Sequence, residues 1–494
     1  MLPIVARRLR LAGDRADAGK RRALTSLAQV SSIAVPLALF AALLASVAPP
    51  AGAAGELLWS HVSDQNLGAD QANAVAVKGR RVIVAGRSDD LTGDGIDQAV
   101  LRGLDAKTGE LLWTHQLDHV PTSESVELVI SKNRVIVARE AENADGTFSG
   151  PDWMVAAHDL KTGAPVWEDI FPSTGEESVV ALAAKGNRVF AGGEAENQVD
   201  PASGRDWVVR AVSAKNRTFL WEDLVDSALQ TDRVVGLAVS GRRVIAAGVS
   251  NDATEPGSGG DWLVRALDAK KGSVLWQDIV DRGGADTVRH VAAAGRTAVV
   301  VGRSVEAAGP GGGDDWLVRA YDTKTGTLLW EDAVDFALGD DQARRVAVGK
   351  KQVVVVGEAT NAIAADSDQD WIVRAYDTKT GALLWEDRFD GGAMAVDRPE
   401  QVVFAGKSVL VGGRSQRQVA ADSGNDWHVR AYDAQTGALL WSDIYDAALG
   451  NDRVSNTGTG LAVSGKRAFA VGRGANAADP ESGRDAIVRA YDLR

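Results

Sequence analysis

Tyr321-Asp322-Thr323-Lys324-Thr325-Gly326-Thr327-Leu328-Leu329-Trp330 is one copy of a pattern, Asp-x-x-Thr-Gly-x-x-Leu-Trp, that returns along the chain at an almost fixed interval. The closing tryptophans are Trp59, Trp113, Trp167, Trp221, Trp276, Trp330, Trp385 and Trp441, and successive members stand 54, 54, 54, 55, 54, 55 and 56 residues apart. Spacing that regular marks one supersecondary unit copied in tandem, a unit that buries its apolar face only when neighbours stack on it.

The interval 221–276 shows what the unit contains. Short apolar runs at 221–226, 234–239, 243–248 and 261–268 are rich in Val, Ile and Leu, are bounded by Gly, Asp and Asn, and carry no helical period. Four strands in one interval leave no room for a helix and match one blade of a propeller. The glycine-turn strand pair occurs eight times, near Gly79, Asn133, Gly186, Gly241, Gly295, Lys350, Gly406 and Gly465. The strand typified by Asp-Trp-x-Val-Arg-Ala-Tyr-Asp also ends eight times, at Asp105, Asp159, Ser213, Asp268, Asp322, Asp377, Asp433 and Asp492. The repeats open on an orphan Gly55-Glu56-Leu57-Leu58-Trp59 and close on Ala490-Tyr491-Asp492, so each end holds the half of a hairpin that the other lacks. The expectation is an all-β, eight-bladed β-propeller of four-stranded blades over residues 55–494. The N-terminal strand should complete the last blade, which removes two open sheet edges.

The pattern Ala-x-Asp-x-x-Thr-Gly-x-x-x-Trp, intact at 320–330, 375–385 and 431–441, resembles the tryptophan-docking motif of the pyrroloquinoline-quinone-type propeller family. The resemblance covers 55–494 and implies eight blades with a Trp from each packed on its neighbour, so the eight closing tryptophans are read as structural docking residues. Six more tryptophans, Trp153, Trp207, Trp262, Trp316, Trp371 and Trp427, open the Asp-Trp strand and are read as filling the gaps between blades. Quinone enzymes of the family imply a calcium-bound quinone on the axis, a catalytic acid, and large insertions with paired cysteines or a cytochrome domain. This chain has no cysteine and no insertion longer than a loop, and it is closer in kind to the non-catalytic propellers of outer-membrane β-barrel assembly. Those are lipoproteins as a rule, and the chain lacks a lipid-bearing cysteine.

Residues 1–54 lie outside the repeats. A basic stretch with Arg7, Arg8, Arg10, Arg15, Lys20, Arg21 and Arg22 precedes an apolar run at 30–47, then Pro49, Pro50 and Ala51-Gly52-Ala53. That is the layout of a secretory signal peptide; an uncleaved membrane anchor is the alternative. The expected location is exported: periplasmic, cell-surface or secreted. With Asp14 and Asp17 the leader carries +5, so of the chain's −13 the repeats carry about −18. Such an acidic body argues against nucleic acid and anionic lipid, leaves the leader as its only link to a membrane, and favours basic proteins or cations. A monomer with no resident cofactor is expected, calcium excepted.

Strand alternation sends two kinds of connection to opposite faces. One face carries short uniform turns. The other carries longer loops, each different, at 140–151, 194–205, 250–260, 303–314, 359–369, 414–425 and 473–484, and variable loops on a rigid scaffold are where a protein partner or small ligand binds. Just before each innermost strand stand Asp70, Glu124, Glu177, Asp232, Asp286, Asp341 and Asp397, with Asn456 breaking the series and Asp452 close by. They are read as an acidic binding face around the channel, against the alternative that they cap turns. Asp90, Thr92, Asp94 and Gln98 space oxygen side chains as in a short calcium loop. Ala99 and Ala486, where six blades have Trp, are expected to leave a binding notch at the seam of blades one and eight. The histidines, His61, His115, His119, His158, His290 and His428, form no metal-ligand spacing, and no nucleophile motif is present.

Overall fold

The repeats alternate β-branched runs with Gly-, Asp- and Asn-rich turns, and in the computed structural model they form eight antiparallel sheets in a ring. The structure describes residues 54–494 apart from 64–68, 89–97, 118–125, 143–150, 172–174, 197, 199–203, 228–230, 252–258, 306–312, 337–338, 364–367, 392–394, 417–423 and 447–450 and 476–482. Blade one comprises Gln71–Lys78, Arg81–Ser88, Gln98–Asp105 and Leu111–Gln116, from axis to rim. Blades two to seven follow at 126–170, 177–225, 232–280, 287–334, 341–389 and 398–445. Blade eight runs from 453 to 492 and takes Leu57–Ser63 as its rim strand. The middle strands are sandwiched between neighbouring blades, so runs such as Val353–Val354–Val355–Val356 are fully buried where a one-sided sheet would alternate.

Closure by the termini is chemically identical to an ordinary blade turn. In blade five the amide of Gly326 donates to the carbonyl of Asp322 at 2.9 Å, and Asp322 donates to Thr327 at 2.9 Å. Across the chain ends Gly55 donates to Asp492 at 2.7 Å, and Asp492 to Glu56 at 2.9 Å.

Each docking indole reaches into the next blade. Trp276 Nε1 donates to the carbonyl of Thr323 at 3.0 Å, Trp330 to Thr378 at 3.1 Å and Trp385 to Ala434 at 3.0 Å. The ring lies flat on the turn glycine of that blade: at Gly326, with φ +75°, an added Cβ would stand 2.7 Å from the Trp276 ring. The motif therefore couples an Asp-Thr-Gly turn to an indole one repeat earlier. The second set of tryptophans is wholly buried, and Trp207, Trp262, Trp316, Trp371 and Trp427 each pack against a strand glycine of the following blade, as Trp262 does on Gly302.

A second contact locks the seams. Tyr321 donates its hydroxyl to Asp278 of the preceding blade at 2.9 Å while Arg319 Nε donates to that hydroxyl at 2.8 Å and pairs with Asp278 and Glu331. The same Asp–Arg–Tyr triad recurs as Asp332–Arg374–Tyr376, Asp387–Arg430–Tyr432 and Asp443–Arg489–Tyr491. Asp169–Arg210 and Asp223–Arg265 keep the ion pair without the tyrosine.

The first hairpin of blade two turns on Lys132, at φ +53°, and Asn133, and its innermost strand lacks the extra residue that bulges in blades one and three to seven.

Candidate functional site

The bulges decide what faces the axis. Each inserts one residue into the innermost strand; in blades three to six these are Val180, Val235, Arg289 and Arg344, all of which line one chamber of about 320 Å³. Arg233, Arg345, Asn456 and Thr457 also line it. Arg344 is clamped between Glu358 at 3.3 Å and Glu400 at 3.1 Å, and Arg398 also pairs with Glu358. The Nε of Arg289 is buried without a hydrogen-bond partner among the described residues. Burial first, then repulsion from Arg344, Arg303 and Arg233, pushes the Arg289 guanidinium down to about 10. This mouth is basic on an acidic protein.

The channel is crossed by its own chain. Between Arg453–Val454 and Leu461–Ser464, blade eight has six residues where blade one has two, Asn73 and Ala74. Arg345 donates to the carbonyl of Asn456 at 3.2 Å, Gln401 Nε2 to those of Ser455 at 2.9 Å and Gly458 at 2.7 Å, and Val75 N to Thr459 at 2.8 Å. Asn73 Nδ2 donates to Thr457 Oγ1 at 3.0 Å. A side chain at Gly458 would clash with the Val126 and Asn73 carbonyls, so glycine is required for so close an approach. A second chamber of about 180 Å³ beside this plug holds Glu127 and His290. Burial, opposed by Arg345, pushes the Glu127 carboxyl up to about 8; burial and then Arg345 push His290 down to about 3. Both are neutral near pH 7, and arginine carries the axial charge.

The carboxylate series turns inward. Asp70, Glu177, Asp232, Asp286, Asp341 and Asp397, with Asp452, are at most 2 % exposed. Asp341 accepts from the amides of Phe336 at 2.7 Å and Thr360 at 3.1 Å, and Asp232 from Ser227 at 2.6 Å and Asn251 at 3.1 Å, so each ties the incoming connection to its blade's second strand. Asp286 also brings an oxygen within 4.8 Å of Asp261 and Asp281. Glu124, Asp90, Thr92 and Asp94 lie outside the described residues; Gln98 opens the third strand of blade one and is buried. Ala99 and Ala486 are 1 % and 3 % exposed. Arg139 of blade two stands where the seven other blades have glycine, and it is buried.

Sequence reading overlooked the axial arginines, the plug and one pair of histidines. His115 and His158, expected to share no site, meet across the seam of blades one and two with ring centroids 5.0 Å apart. Aligning the repeats on their tryptophans would have found them, since His115 stands two residues after Trp113 as Asp169 does after Trp167.

An eight-bladed ring stitched by Trp-on-Gly docking defines a quinoprotein-like propeller. The chain belongs to the family described as outer membrane protein assembly factor BamB, whose model matches residues 51–245, 97–304, 151–367 and 260–428. Among solved structures, the chain is similar to BamB from Moraxella catarrhalis at 15 % identity, covering 89 % of this chain and 99 % of that one with a TM-score of 0.48. It is also similar to quinohemoprotein alcohol dehydrogenase from Comamonas testosteroni, at 13 % identity over 89 % and 76 % of the two chains with a TM-score of 0.55. A europium-containing methanol dehydrogenase matches at 11 % identity over 89 % and 93 % with a TM-score of 0.57. Nothing among the curated proteins matches. The described residues do not fit the calcium-bound quinone that the enzymes of this fold imply: Glu358 and Glu400 are held by Arg344 and Arg398, and residues 455–460 cross the channel.

Proposed function

We propose that the chain is an exported, non-catalytic propeller scaffold that docks a protein partner through its long-loop face. The observation that supports this reading best is the self-plugged axis. A propeller that seals its channel with residues 455–460 and neutralises its axial carboxylates with arginine leaves its outer surfaces as the means of recognition. Membership of the BamB family supports a protein-binding role in general. Export rests on the leader and on the envelope association of that family.

The test compares the two faces. Arg233→Glu with Ile363→Asp on the loop side, and Lys161→Glu with Lys379→Glu on the turn side, are each used to capture partners from envelope extract. A stoichiometric partner retained by the turn-side variant and lost from the loop-side variant is the expected result; equal retention overturns the docking face. Reconstitution with calcium and quinone that yields dye-reducing activity would overturn the non-catalytic reading.

A further inference from the structure

The chamber of about 320 Å³ at the long-loop end of the innermost strands collects arginines from three consecutive blades: Arg233 of blade four, Arg289 of blade five, and Arg344 and Arg345 of blade six. Two of them are bulge residues, Arg289 inserted between Val288 and His290 and Arg344 between Ala343 and Arg345. A regular strand sends neighbours to opposite sides, and the bulge is what lets Arg344 and Arg345 line one space together. Blades three and four carry Val180 and Val235 at the same bulge, so part of the lining is apolar.

The carboxylates nearby are committed elsewhere. Glu194, the one acidic residue in the lining, pairs with Arg205 at 2.7 Å. Glu358 and Glu400 hold Arg344 at 3.3 and 3.1 Å, and Glu358 pairs with Arg398 as well. Arg345 donates to the carbonyls of Asn456 at 3.2 Å and Arg289 at 3.5 Å, contacts that use its N–H groups without cancelling its charge. Arg289 keeps its buried Nε without a hydrogen-bond partner among the described residues. Burial first, then repulsion from Arg344, lowers both Arg289 and Arg345 from the usual arginine range. Like charges crowded out of water cost stability, and an anion seated among them would recover it.

We infer that this chamber binds a small ligand carrying a doubly charged oxyanion, inorganic phosphate or a phosphate ester, held by Arg233, Arg289 and Arg345. A single carboxylate would neutralise one guanidinium group of the three. A phosphate group brings two charges and several acceptor oxygens to one point, and the planar donor fork of arginine matches it in pairs of hydrogen bonds. A space of about 320 Å³ is at the lower end of small-molecule sites, with room for a compact body against the valines beside the charged head.

The test is calorimetric titration of the purified protein with inorganic phosphate and, separately, with glycerol 3-phosphate, with succinate as the carboxylate control. One equivalent should bind and raise the melting temperature, and Arg289→Gln should weaken binding by about 10- to 100-fold, the loss of one charge-assisted contact. Because that substitution relieves repulsion, the unliganded variant should melt at or above the wild-type temperature, which separates a lost site from a lost fold. Arg289→Lys, which keeps the charge without the fork, should fall between the two. Tighter binding of glycerol 3-phosphate than of phosphate marks an ester as the ligand, and the reverse order marks the free ion. Phosphate bound equally by wild type and Arg289→Gln, succinate bound as tightly as phosphate, or no binding of either phosphate compound overturns the assignment. No partner protein takes part in the titration, so its outcome is independent of where the scaffold docks.

Discussion

At Gly326 the backbone conformation and the neighbour impose the same residue for different reasons. Its φ of +75° disfavours any L side chain, and the Trp276 ring occupies the space that a Cβ would need. Gly326→Val should therefore combine left-handed strain with overpacking, a loss of about 3 kcal/mol measured by urea denaturation. Arg217 tests the same idea from the other side, since it stands at the equivalent turn with φ +64° and its guanidinium donates to the Glu168 carbonyl at 2.7 Å. Individual side chains were legible in the sequence where one repeat explained them, as Trp276 and Gly326 were. The axial Arg289 and Arg344 were not, because a bulge turns a strand residue toward the axis and leaves no mark in residue type.

The rim strand Leu57–Ser63 belongs to the last blade by hydrogen bonding and to the first by sequence, and it carries Trp59 onto Gly109. Removing residues 55–59 should strip the C-terminal end of strand Arg484–Asp492 of its partner and delete a docking indole, costing about 3–5 kcal/mol for the tryptophan alone. Thermal unfolding of the truncated chain reads this directly, and an unchanged midpoint would show that closure does not depend on the strand. The plug is the other element with its own history. Its four extra residues were countable, since Asp433 to Asp492 spans 59 residues where Ser213 to Asp268 spans 55. Nothing in the count says that the excess folds into the channel, because that follows from carbonyls and amides supplied by blades one, two, six and seven.

On the scale of the whole ring, two sets of carboxylates titrate in opposite senses. In the short turns, the backbone amide and then the hydroxyl of Thr380 hold Asp377 below its usual range, and Thr436 does the same for Asp433. These contributions are lost only in strong acid. On the long-loop side burial pushes Asp341 and Asp397 up to about 7 and Asp232 to about 6, with nearby carboxylates adding to it. The folded state then binds protons that the unfolded chain has released, so stability falls as pH rises from about 4 through 7. The urea midpoint should be higher at pH 5 than at pH 8, and Asp341→Asn with Asp397→Asn should flatten that slope; a midpoint rising from pH 5 to 8 would contradict the burial of these groups. The sequence by itself determined the blade count, the closure and the docking tryptophans, because eight copies of one unit admit few ways to bury the same face. Only the tertiary structure decided which charges face the axis and which histidines meet across a seam. Those properties belong to pairs of residues from different repeats, and packing alone brings such pairs together.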